Sequence, residues 1–183
     1  HAFLCVTARA PGADTLVVEG WVSDDSLRRV VEILAEPESP YGLVCVTGPP
    51  LYHGYYLADT FGSYSELAAA SLRALGVPDE RLVVAPAHSG RRDRTYLAAD
   101  ALRAELTRRG LAPAALDLVT EGPHARRSRA VYAKVFGDDV RVGVIALPPG
   151  HYDAETWYRS SAGVKTTVFE LLAVVYEWLG AGR

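Results

Sequence analysis

Residues 116–146 read LDLVTEGPHARRSRAVYAKVFGDDVRVGVIA, and the fold is decided there. Leu116–Thr120 and Arg141–Ala146 are short runs rich in branched apolar residues, suited to strands covered on both faces. Between them, His124–Phe136 has helix length and is closed by Gly137, a residue suited to the positive φ that ends helices. Parallel strands need a crossover of roughly a dozen residues, which a helix supplies. The stretch therefore predicts one strand–helix–strand unit.

The same alternation extends upstream. Strands are predicted at Thr15–Glu19, Leu43–Thr47 and Arg81–Ala85. Ser23-Asp24-Asp25-Ser26 offers N-cap oxygens to a helix ending near Ala35, stopped by Pro37 and Pro40. Ser63 or Ser65 caps a helix to Leu75, ended by Gly76 and Pro78. Asp93 or Arg94 opens a third that runs to Arg109 before Gly110. Downstream, Ser161–Leu179 forms a long last helix. The pattern predicts one α/β domain over residues 1–183, with a mainly parallel five-stranded sheet. Residues 1–13 precede Thr15 as an extended arm, broken from the first strand by Pro11-Gly12.

Composition agrees with that reading. The chain has 183 residues, 49% apolar and 22% charged, with formal net charge −3, values ordinary for a soluble globular domain. Nucleic acid is not an expected partner, since its binders are strongly basic. No apolar run approaches the roughly 20 residues that span a bilayer. The two cysteines, Cys5 and Cys45, reveal no compartment, and Cys45 reads as a buried inert thiol. The absence of methionine implies a processed, trimmed or tagged start, so any upstream signal or anchor is invisible and localisation stays open.

In open parallel sheets, ligands bind beyond the carboxyl ends of the strands, where helix N-termini present unsatisfied N–H groups. That filter selects Glu19, Gly20 and Trp21 after the first strand, and Thr47 and Gly48 after the second. It selects His88, Ser89, Arg91, Arg92, Asp93, Arg94 and Thr95 after the third. Thr120, Glu121, His124, Arg126 and Arg127 follow the fourth, and His151, Trp157 and Arg159 the fifth. Lys134 and Lys165 are the sole lysines, so arginine supplies nearly all positive charge. Arg91-Arg92-Arg94 and Arg126-Arg127-Arg129 fall at predicted helix starts. Arginine's planar fork suits bidentate binding of phosphate or carboxylate; the plainer alternative is solvated ion pairing, as expected of Arg28 and Arg108.

His124 is the prime acid–base candidate, because the dipole at a helix start favours neutral imidazole. Its competing role is a hydrogen bond to a loop carbonyl. Glu66 is either a helix-start carboxylate or a group facing His124, or one holding a sugar hydroxyl. Asp93 is a cap, an arginine partner or a base. Tyr52, Tyr55, Tyr56 and Tyr64 either line a base or sugar pocket or pack a loop. His53, His88, His124 and His151 lie in four separate loops without the spacing of a zinc site, so no metal is expected. The phosphate-binding loop of nucleotide hydrolases, the glycine-flanked serine elbow and the dinucleotide glycine series are all missing.

Leu118-Val119-Thr120-Glu121-Gly122-Pro123-His124-Ala125-Arg126-Arg127 resembles the V-T-S-x-x-H-x-x-R signature of the YdcF–SanA–ElyC-like bacterial proteins, with His124 and Arg127 in its His and Arg places. Ser65-Glu66 resembles the family's S-E-A element, and Leu75-Gly76-Val77-Pro78 its L-G-V-P. Its N-T-x-x-N element is matched only at Thr95, since Arg94 and Ala98 replace the asparagines. Its G-G after the first strand is here Glu19-Gly20. The departures are similar to a subgroup reading V-V-E-G-W, R-D-R-T-Y, H-A-R-R and W-x-R-S-S-x-G, the last at Trp157–Gly163. The resemblance covers Asp14 to about Leu179. It implies a Rossmann-like three-layer sandwich, a role in envelope or cell-wall biology, and S-adenosylmethionine or another nucleotide as ligand. It also implies a tether to the inner membrane through a preceding segment absent from this sequence.

Three functions follow as expectations. The first is an enzyme on a phosphorylated or nucleotide-linked envelope precursor, with Arg126, Arg127 and Arg94 clamping the anion, His124 moving a proton, and Glu66 orienting it. The second is a non-catalytic module binding a small anionic molecule through the same pocket. The third is a scaffold that docks a partner through Trp157–Lys165.

Overall fold

The computed structural model describes residues 1–51, 56–88, 90 and 93–179. Tyr52, His53, Tyr55, Ser89, Arg91 and Arg92 lie outside the described residues, as does the side chain of Tyr56. Five strands, β1 (Thr15–Glu19), β2 (Leu43–Gly48), β3 (Leu82–Pro86), β4 (Ala115–Glu121) and β5 (Arg141–Leu147), form one sheet. Its order is β3-β2-β1-β4-β5 and every pairing is parallel. The helices are α1 (Asp24–Ala35), α2 (Tyr64–Ala74), α3 (Arg94–Arg108), α4 (His124–Phe136) and α5 (Ser161–Trp178). The chain is thus an α/β Rossmann-like sandwich.

Alternation along the strands builds two cores, because successive side chains point to opposite faces. Leu16, Val18, Val44 and Val46 pack with Leu27, Val30 and Leu72 of α1 and α2. Val17, Cys45, Leu116 and Leu118 pack with Leu102 of α3 and Tyr132 of α4 on the other face. Caps set the helix starts. The Ser23 hydroxyl accepts the N–H of Ser26, and Ser63 that of Glu66 at 3.2 Å. Short 3-10 turns at Tyr56–Asp59, Asp79–Arg81 and Trp157–Arg159 complete the connections. The second of these takes Arg81, so β3 starts one residue later than the sequence suggests.

The arm is extended only in part. Ala8 makes an antiparallel bridge to Val144 on the outer edge of β5. Asp117, fully buried inside β4, accepts the Ala10 N–H at 2.7 Å and the Tyr41 hydroxyl at 2.6 Å. The buried Leu4 offers its carbonyl to the Arg126 N–H at 3.1 Å, filling one orphan donor of the first turn of α4.

The order places β1 beside β4, and their following helices, α1 and α4, on opposite faces. Such a switch point leaves a crevice at the carboxyl ends of the strands.

Candidate functional site

A cleft of about 910 Å³ opens at this crevice, within the size range of small-molecule sites. Its floor is Glu19 and Thr47 at the ends of β1 and β2; α3 and α4 form its walls, and α5 closes it. Glu19 is buried, and its carboxylate accepts from the Thr120 and Ser128 hydroxyls, tying β1 to β4 and α4. Thr47 donates to the Ala98 carbonyl of α3 at 2.9 Å. Glu121 accepts from the Ser23 N–H and from the Ser23 and Ser26 hydroxyls, locking the end of β4 to the start of α1. The crevice is therefore held rigidly on both sides.

His124, first residue of α4, faces into this cleft. Its Nδ1 lies 2.5 Å from Oε1 of Glu170, a residue of α5. Arg127, one turn along α4, holds the same carboxylate in a fork, with Nε to Oε2 at 2.7 Å and Nη2 to Oε1 at 3.1 Å. Its Nη1 donates to the Thr95 hydroxyl at 2.9 Å, and its Nη2 lies 2.9 Å from His124 Nε2. The indole of Trp21 meets the imidazole edge-on, ring centroids 4.9 Å apart.

Burial pushes the Glu170 carboxyl up, but the donors of His124 and Arg127 outweigh it and bring the group down to about 2. Burial likewise opposes the Arg127 charge, and the Glu170 carboxylate overcomes this and holds the guanidinium firmly protonated. An anionic Glu170 fixes the imidazole proton on Nδ1, so Nε2 carries the lone pair. The arrangement is a positioned imidazole backed by a carboxylate, the pairing that general acid–base chemistry uses.

The structure gathers Glu19, Trp21, Thr47, Gly48, Asp93, Arg94, Thr95, His124 and Arg127 around one cleft. Asp93 precedes α3 in the left-handed region (φ 55°) and makes no side-chain cap. Four residues fall elsewhere. Glu66 takes its capping role: its carboxylate accepts from Ser63 at 3.1 Å and lines a separate small pocket with Arg73 and Pro86. Arg126 points away, with Nε on the Phe3 carbonyl at 2.6 Å and its guanidinium over the Phe3 ring. Thr120 lies beneath the floor, spent on Glu19. Gly20 serves packing, since a Cβ there would meet the Tyr64 carbonyl oxygen at 2.7 Å. Arg129, beside them in sequence, binds the Val142 carbonyl.

Sequence reasoning missed Glu170. One signal was present: α5 is apolar almost throughout, and Thr166, Thr167, Glu170 and Glu177 fall on one stripe of it. Among the described residues, no group of three or more His, Cys, Asp or Glu is placed to hold a metal, and no helix is long and apolar enough to cross a membrane. No family model, curated protein or solved structure matches this chain.

Proposed function

We propose that the cleft is the active site of an enzyme acting on a phosphorylated or nucleotide-linked small molecule. One observation carries the reading: His124 is held at Nδ1 by an ionised Glu170, 2.5 Å away, at the switch point of the sheet. As a water or hydroxyl oxygen bonds to the substrate's phosphorus, Nε2 takes its proton and Glu170 stabilises the imidazolium that results; the bond from phosphorus to the leaving oxygen breaks, and that oxygen takes the proton back from Nε2. The anionic part of the substrate lies against Arg94, Lys165 and the remaining Nη1 hydrogen of Arg127, all at the cleft wall. An anion that also draws Nη2 of Arg127 away from Nε2 exposes the lone pair as it binds. The resemblance to YdcF–SanA–ElyC-like proteins supplies the proposed substrate class, an envelope precursor.

A second reading has its own support. Arg127 is already neutralised by Glu170, and its Nη2 occupies His124 Nε2. A resting site so fully paired suits a module that binds a nucleotide such as S-adenosylmethionine without turning it over.

The test screens nucleotides, sugar phosphates, polyprenyl phosphates and S-adenosylmethionine by thermal shift, then assays each hit for turnover. A ligand at 100 times its Kd adds about 2.7 kcal/mol, a rise of about 5–10 °C for a chain of this size. The enzyme reading expects His124→Ala to lower kcat by about 10²–10⁴ while the hit still binds. Unchanged turnover in that variant refutes it. A hit that Arg127→Ala abolishes and the wild-type chain never converts establishes the binding module instead.

A further inference from the structure

Helix α5 is built inside out. Its buried stripe is Gly163, Thr167, Glu170 and Val174, mostly without apolar side chains. Its solvent face carries Val164, Val168, Leu171, Val175 and Trp178, between 40% and 65% exposed. Leu172 and Leu179 flank them at 59% and 79% exposure, and Phe169 and Tyr176 carry the exposed apolar surface on to the edge of the cleft. A surface helix normally shows the reverse distribution.

The spacing says what shape covers this face. Val164, Val168, Leu171, Val175 and Trp178 follow one another at alternating steps of four and three residues. That is the 3.5-residue period of a seam packed along another helix. Val168 and Val175 occupy one set of seam positions and Val164, Leu171 and Trp178 the other; valines on one set facing a central leucine on the other suit two-stranded pairing.

Charge and area narrow the occupant further. Lys165 is the only cation of α5, against Glu170 and Glu177, and it lines the cleft. A helix lying on an anionic bilayer needs a polar face rich in lysine and arginine; the polar stripe here is spent on the protein's own interior. Phe3 extends the apolar face, packed edge-on against Trp178 with centroids 6.1 Å apart. Phe3, Leu172, Leu179 and the five seam residues, all substantially exposed, together offer several hundred Å² of apolar surface, at the upper end of what monomers show and of the order of the ~800 Å² per partner that stable interfaces bury. An uncharged seam is also self-complementary, as a two-fold contact requires.

We propose that α5 packs lengthwise on α5 of a second copy of this chain, forming a two-fold dimer. Sedimentation velocity of the full chain from about 1 to 100 µM, a range centred on ordinary dimer affinities, tests it. The wild-type chain sediments as a dimer. The double variant Leu171→Asp, Val175→Asp weakens association at least about 100-fold, with circular dichroism unchanged because both side chains are exposed in the single chain. Leu171→Cys forms a disulfide-linked dimer under mild oxidation, which wild type does not, giving a readout independent of the Asp variant's folding. A wild-type chain that stays monomeric over the range overturns the proposal, including one that co-sediments with phosphatidylglycerol vesicles instead. So does a dimer that survives both aspartates, or a Leu171→Cys chain that fails to cross-link.

Discussion

Glu170→Gln removes the charge at the centre of the site while keeping the side chain's size. In the folded chain the carboxyl is brought down from 4.5 to about 2, because the His124 and Arg127 donors outweigh burial. That fall is worth on the order of 3 kcal/mol of native-state stability at neutral pH. Screening takes little of it away, since Glu170 is only 8% exposed. A depressed carboxyl stabilises the fold fully above its unfolded value and loses that contribution as pH falls toward the folded one. At pH 3 less than half of that contribution remains, so the gap between wild type and Glu170→Gln narrows by about 2 kcal/mol between pH 7 and pH 3. Urea unfolding followed by circular dichroism at several pH values reads this directly, because other carboxylates titrate alike in both proteins. At pH 7 the variant should also melt about 6–12 °C lower. A gap below about 1 kcal/mol at pH 7, or one that is equally wide at pH 3, refutes the electrostatic account of the cluster.

Two further substitutions test the scaffold around the cleft. Asp117→Ala strands the Ala10 N–H and the Tyr41 hydroxyl inside the protein and should cost about 2–4 kcal/mol, with faster hydrogen exchange at Ala10; an unchanged denaturation midpoint would show that the arm does not depend on it. Gly20→Ala drives a Cβ against the Tyr64 carbonyl and the Ser65 Cα, and should destabilise by about 1–3 kcal/mol in a thermal melt. A neutral Gly20→Ala would mean that α2 shifts freely against β1.

The elements were legible because local signals agreed with the global pattern. Ser23, Ser63 and Gly137 sit at the helix ends they announce, and every strand was marked by its branched apolar run. The strand-end filter found the floor of the cleft and the starts of its α3 and α4 walls for the same reason: parallel topology alone puts those residues on one edge. It failed where side-chain direction decides. Arg126 and Arg127 are neighbours in sequence, yet 100° of helix rotation separates them, sending one to Phe3 and the other to Glu170. Glu66 and Glu170 are both helical glutamates, and nothing local tells which reaches His124. That depends on where α5 returns over α4, a tertiary choice with no strand end to mark it.

The return of α5 also fixes when the site comes into being. The carboxylate that pairs with Arg127 lies 43 residues downstream of it, beyond the last strand. At about 5–20 residues per second of synthesis, Glu170 is made about 2–9 s after Arg127, when all five strands already exist. A growing chain can thus hold a complete sheet while His124 has no carboxylate behind it. The His124–Arg127–Glu170 cluster is therefore completed last, and a chain that ends before α5 carries the sheet without it.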